Sequence, residues 1–271
     1  MGIAIAIHSY KGGTGKSSIS LNMAILLSRE LGKKVLLLDF DFQGPSLCHI
    51  FDETILSNTL NQYLNNECSI QEVIIDKTNQ LELEGLESED DRALHVCLSS
   101  SRAADIEVMA SQTRKWHTKA LGKLLRDFTE LKKIYDYIII DTSPGVTFDS
   151  LNAMALSDFV LVLSRLDKSD FMGTQELVNG ISKHLEKLGS RTVLVINKVP
   201  PLFKNMDEMI NNFRSKIEAP VISIIPCYCD ISAFGGISEL FLVKYRNHPV
   251  SYKFLEIIDE ILKLKESLKQ G

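Results

Sequence analysis

The chain has 271 residues, 45% of them hydrophobic and 24% charged, with a formal net charge of −5. That length buries a substantial core within one α/β domain spanning 1–271, and that composition excludes a fibre or a disordered tail. The negative overall field does not favour nucleic acid as a partner unless a local basic patch overrides it. An odd count of five cysteines fits a reducing compartment better than a disulfide framework, so a cytoplasmic location is expected.

IAIAIHS at 3–9 predicts the first strand. It is short, lacks a basic n-region and runs straight into a glycine turn, which makes it a strand and not a targeting segment. A helix is predicted over 17–31 and a strand, KVLLLDF, over 34–40. Residues 52–92 show no clean period and read as a surface insertion. Their acidic stretch at 81–92, with Glu82, Glu84, Glu87, Glu89, Asp90 and Asp91, reads as a solvated loop. Further strands are predicted at 93–100, 135–142, 158–165, 191–197 and 220–226, with helices at 114–133, 169–188, 203–217 and 251–269. Trp116, between Lys115 and His117 on the first of those helices, reads as packing or surface decoration. Most strands are apolar on both faces, the pattern of a parallel sheet covered by helices on both sides. No run approaches the roughly 18 apolar residues of a membrane span.

The turn after the first strand, within SYKGGTGKSS at 9–18, carries two lysines. A strand, a glycine-rich turn and a helix N-terminus converge backbone N–H groups on an anion, and phosphate is the natural guest. Gly12, Gly13 and Gly15, with Thr14 among them, permit close backbone approach; Lys16 reaches the β- and γ-phosphates; Ser17, followed by Ser18, places its hydroxyl on Mg2+. The plain pattern G-x-x-x-x-G-K-[ST] fails by one residue, because its first glycine falls on Tyr10. The variant K-G-G-x-G-K-[ST] matches throughout and resembles the deviant Walker A motif of the ParA/MinD family of ATPases. The resemblance makes Lys11 the family's signature lysine, which crosses a dimer interface to the nucleotide of the other subunit, and leaves Lys16 as the group acting in cis.

Two strands end in carboxylates, VLLLDFDFQGPS at Asp39 and Asp41 and YDYIIIDTSPG at Asp141. The C-terminal ends of strands are where α/β proteins hold ligands. By the resemblance, Asp141 ends a Walker B strand and binds Mg2+ through water, and Gly145 offers an N–H toward the γ-phosphate. Asp39 and Asp41 match a D-x-D switch I motif, continued by Gln43 and Gly44. The family pattern has Asp39 supporting the metal shell and Asp41 orienting the attacking water. An unperturbed carboxylate, with a pKa of about 3.9, is a poor base, so positioning is the role read for Asp41.

VLVINKVPP at 193–201 carries Asn197 and Lys198 as in the N-K-x-D guanine motif, but its fourth position is Pro200. Without a carboxylate to accept from the guanine N–H donors, ATP is favoured over GTP. The resemblance gives Asn197 an adenine contact and places Pro226 and Cys227 beside the base. Cys227 and Cys229 are spaced C-x-C, whereas related iron–sulfur scaffold ATPases use C-x-x-C; here they read as small apolar residues leaving a buried strand, with metal binding as the other reading. In the last helix Phe254, Leu255, Ile258, Ile261, Leu262, Leu264 and Leu268 recur at helical spacing, as in the C-terminal membrane helix of MinD-type proteins. Glu256, Asp259, Glu260 and Glu266 offset its lysines, so core packing is expected and membrane docking is not.

The expected fold is a single P-loop NTPase domain, a mostly parallel twisted sheet with helices on both faces. The resemblance, carried by residues 3–47, 135–146 and 191–230, implies a Mg2+-dependent ATPase that forms a homodimer around two ATP molecules. It further implies slow hydrolysis, stimulation by a protein partner, and a role in positioning or partitioning a cargo. Two other readings stand beside it: a nucleotide-gated binding module with negligible hydrolysis, and a metabolic ATP-dependent ligase or kinase of the same fold group.

Overall fold

Alternate residues of the first strand part to opposite sides, Ile3, Ile5 and Ile7 into one core and Ala4 and Ala6 into another. This division runs through the molecule. The computed structural model describes residues 1–51, 56–81, 91–200, 206–228, 230–231 and 240–269. Strands β1 (Ile3–Ser9), β2 (Lys34–Phe40), β3 (Ile75–Asp76), β4 (Ala93–Cys97), β5 (Tyr137–Thr142), β6 (Phe159–Ser164), β7 (Arg191–Val199) and β8 (Val221–Pro226) form one sheet. Its order is β3-β4-β2-β5-β1-β6-β7-β8, parallel throughout except for β3, which runs antiparallel to β4.

One face is covered by α1 (Lys16–Arg29) and, near the C-terminus, α9 (Phe241–Lys244) and α10 (Pro249–Lys269). The other is covered by α5 (Arg114–Ile134), α6 (Phe148–Leu156), α7 (Lys168–Lys187) and α8 (Met206–Lys216). Short helices α2 (Leu47–Ile50), α3 (Leu60–Leu64) and α4 (Ala103–Ala110) lie in the connections. Helix α1 lies between the sheet and the two last helices, which is why it carries apolar residues on every side. Helix α10 buries Phe254, Ile257, Ile258 and Ile261 against α1 and β8, so its apolar face is spent on the core. No helix among the described residues is long and apolar enough to cross a membrane.

Several elements depart from the sequence reading. Helices α4 and α6 occupy stretches it left unassigned, and 52–92 contains α3, two 3-10 turns (Gln71–Val73 and Thr78–Leu81) and β3. Trp116 packs edge-on against His117, ring centroids 5.0 Å apart, as expected of a packing residue. Residues Glu82 to Asp90 and Cys229 lie outside the described residues.

Candidate functional site

Because the long strands are parallel, Ser9, Asp39, Asp141, Ser164 and Asn197 all arrive at one edge of the sheet. The glycine turn leaves β1 in the middle of that edge. Gly15 must be glycine for two reasons: its φ is +98°, and a Cβ there would lie 2.7 Å from Asn197 Nδ2. Helix α1 starts with no acidic residue in its first turn and no side-chain cap on Gly15, leaving its N-terminal N–H groups to an external anion.

The end of β7 fastens this turn from the side. Asn197 Nδ2 donates to the Thr14 carbonyl at 2.8 Å, and Lys198 Nζ donates to the Gly13 carbonyl at 2.8 Å. The N-K pair seen in the sequence therefore holds the loop, and Asn197 lines the cleft beside it. The Thr14 side chain is fully buried, so it contributes to the site through its backbone.

The two lysines diverge. Lys16 is buried, its Nζ donating to Ser9 Oγ at 3.2 Å; burial lowers its pKa, and the charges of Asp141, Asp41 and Asp170 oppose the shift. Lys11 lies on the rim, where its Nζ donates to Ser169 Oγ at 2.6 Å in the first turn of α7. Ser169 and the buried Asp170, whose charge reaches both lysines, were not found from the sequence. They lie more than 150 positions away, and nothing local marks them.

Asp39 and Asp141 sit directly across from one another on β2 and β5. Asp39 Oδ1 accepts from the Asp41 N–H at 3.1 Å, and Asp141 Oδ1 accepts from Ser20 Oγ at 3.1 Å. Both Oδ2 atoms are buried without a hydrogen-bond partner. Burial pushes Asp141 up to about 6 against the opposing bonds of Ser17 and Ser20, and pushes Asp39 well above the carboxylate range, with the charge of Asp141 adding to the shift. Two adjacent carboxylates with orphaned oxygens beside the Ser17 hydroxyl fit a hard divalent cation such as Mg2+. Asp41, half-buried, faces the same cleft and accepts from the Gly44 N–H at 3.0 Å.

The cleft has a volume of about 580 Å3. Its polar end is Gly12, Gly13, Gly15, Lys16, Ser17 and Ser18; its apolar end includes Pro226, Cys227, Tyr228 and Phe254. A phosphate chain and an aromatic base have that same polarity along their length.

Under the loop, His8 is fully buried with Nδ1 2.8 Å from Thr142 Oγ1. Thr142 Oγ1 donates to the Ile7 carbonyl, so it accepts the His8 proton. Burial, with the charge of Lys16 second, pushes His8 down to about 3. The folded value lies below the unfolded one of about 6.5, so this residue's contribution is intact above that pH and is lost as the pH falls toward 3. Between about pH 7.5 and 5, wild type is expected to lose about 2 kcal/mol more stability than His8→Gln in urea titrations. Equal losses in the two proteins would contradict the assignment.

A family model described as an AAA domain matches residues 2–194, which contain the turn, both carboxylate strands and the lysine pair. The chain belongs to the ParA/MinD family of ATPases. Among ParA/MinD relatives, the sporulation initiation inhibitor protein Soj of Bacillus subtilis is 26% identical over 236 residues, 82% of this chain and 84% of that protein. MinD from Pyrococcus horikoshii, solved complexed with Mg-ADP, shares the fold at a TM-score of 0.71 and 20% identity, covering 98% of each chain. The ATP complex of Cyanothece McdA shares it at 0.75 and 17%, covering 97% of this chain and 96% of that one.

Proposed function

We propose that this ParA/MinD-family chain is a Mg2+-dependent ATPase whose ATP-bound form is a homodimer, a slow cytoplasmic switch that positions or partitions a cargo through a protein partner. The observation that carries this is the divergence of the two lysines: Lys16 is buried in its own cradle facing Asp141, while Lys11 stands on the rim beside α7.

In this reading the backbone of Gly12 to Ser18 holds the phosphates and Lys16 neutralises them in cis. Asn197, Pro226 and Cys227 border the base, and Ser17, Asp39 and Asp141 hold Mg2+. Bound there, the ion would supply positive charge against that of the phosphates. Asp41 orients a water for attack. Lys11 must leave Ser169 to reach the nucleotide of a second copy. The segments beside the loop expose apolar side chains, Val146, Phe148 and Met172, of the kind a second copy would cover. The relatives support the ligand: the Pyrococcus MinD structure contains Mg-ADP and the McdA structure ATP. Helix α10 is committed to the core, which supports a switch that does not dock on membranes through it.

Sedimentation with ATP, ADP and no nucleotide, alongside phosphate release, tests the proposal. Dimers confined to ATP, with slow phosphate release, are expected. A monomer under all three conditions would overturn it, and equal dimers with ATP and a non-hydrolysable analogue without phosphate release would instead select a pure binding module.

A further inference from the structure

Tyr10 stands where the plain phosphate-loop pattern has glycine, and the fold gives its ring a specific seat. A Cβ built on Gly173 would lie 2.0 Å from two carbons of the Tyr10 ring and 2.6 Å from a third. Gly173 is inside α7, away from either end, where glycine is unfavourable by about 1 kcal/mol relative to alanine. No positive φ explains it there; the ring does. One turn earlier on the same helix, Ser169 Oγ accepts from Lys11 Nζ at 2.6 Å, so neighbouring residues of the loop land on neighbouring turns of α7.

The helix offers a stiff platform. Asp167 Oδ1 caps the Asp170 N–H at 3.0 Å, and Asp170 Oδ2 accepts from the Arg165 N–H at 2.7 Å. On the other side of the loop, the Gly145 N–H donates to the Ser9 carbonyl at 2.9 Å. Residue 10 is thus gripped between the turn after β5 and the start of α7.

We propose that Tyr10 is a positioning residue: its ring, seated in the notch at Gly173, sets the direction of Lys11 and ties that lysine's placement to the position of α7. The effect on dimerisation rests on the role proposed for Lys11 in the ATP-bound dimer, whereas the seating itself does not.

The experiment measures Lys11 directly, as its rate of acylation by an amine reagent in nucleotide-free protein, read by mass spectrometry, together with ATP-dependent dimerisation and ADP affinity. Filling the notch with Gly173→Ala displaces the ring. It is expected to raise Lys11 acylation severalfold and weaken ATP-dependent dimers about tenfold, with ADP affinity within about twofold. Tyr10→Phe keeps the ring and is expected to match wild type. Tyr10→Ser is expected to release Lys11 by itself, and adding Gly173→Ala to it is expected to change nothing further, because the clash has gone. Unchanged Lys11 reactivity in both Gly173→Ala and Tyr10→Ser would overturn the inference, as would a full additive effect in the double variant. Altered reactivity with unaltered dimers would uphold the seating and remove Lys11 from the dimer interface.

Discussion

Lys11→Ala is expected to sediment as a monomer with ATP under conditions where wild type forms dimers. Its hydrolysis rate is expected to fall about 10³-fold, equivalent to about 4 kcal/mol of barrier, if the lysine acts in trans as an arginine finger does. The physical reason lies in the geometry of the free chain. Lys16 is already enclosed by the loop and by Asp141, so nucleotide capture needs no second cation from the same chain. Lys11 makes an exposed bond to Ser169 and a charge interaction with Asp170, and losing them removes little from the fold. Monomeric ADP binding and the melting temperature should therefore stay near wild type. ATP-dependent dimers of normal stability in Lys11→Ala would sink the trans assignment.

Asp141→Asn is expected to produce opposite changes in stability and ligand response. In the ligand-free protein the burial of Asp141 raises its pKa to about 6, above its unfolded value. The folded chain therefore holds this proton to higher pH than the unfolded one, and the resulting penalty is absent in acid, grows through that window and is complete near neutrality. Replacing the carboxylate by an amide relieves that penalty and the repulsion with Asp39, offset in part by the attraction Lys16 loses. A net gain of about 1 kcal/mol, or about 2–4 °C in melting temperature, is expected at about pH 7.5 without ligand. Wild type should gain about 3 kcal/mol from Mg-nucleotide at a hundredfold excess over Kd, and the variant should lose most of that gain. Thermal melts with and without Mg-ADP read both effects. A variant that is less stable when free, or that responds to Mg-ADP as wild type does, would contradict the role given to Asp141.

Much of this architecture was legible because its signals are local. Most of the seven long strands are built around apolar runs, and the phosphate loop is one uninterrupted segment whose glycines, lysines and serines keep their order in the fold. Helices α4 and α6 escaped because they are short and weakly marked. The capping box of α6 pairs Thr147 with Ser150 where the usual signal has Glu or Gln, and its helix begins just after a Pro-Gly turn that reads as loop. Strand β3 is two residues long and leaves no periodicity to detect. Around the site, the loop residues and carboxylates could be named in advance, whereas their partners could not. Ser169, Asp170, Gly173 and His8 matter through contacts across 134 or more positions, or through burial, and neither is written in spacing.

The two outermost strands limit how copies of this protein can associate. On one side β3 presents a mere two residues, with Asp76 largely in solvent; on the other, β8 is irregular in register and stops at Pro226. Among the described residues, neither outer strand is the long, regular template onto which a neighbouring chain readily adds a strand. Open-ended growth by sheet extension, the route to fibrils, is discouraged at both of these strands.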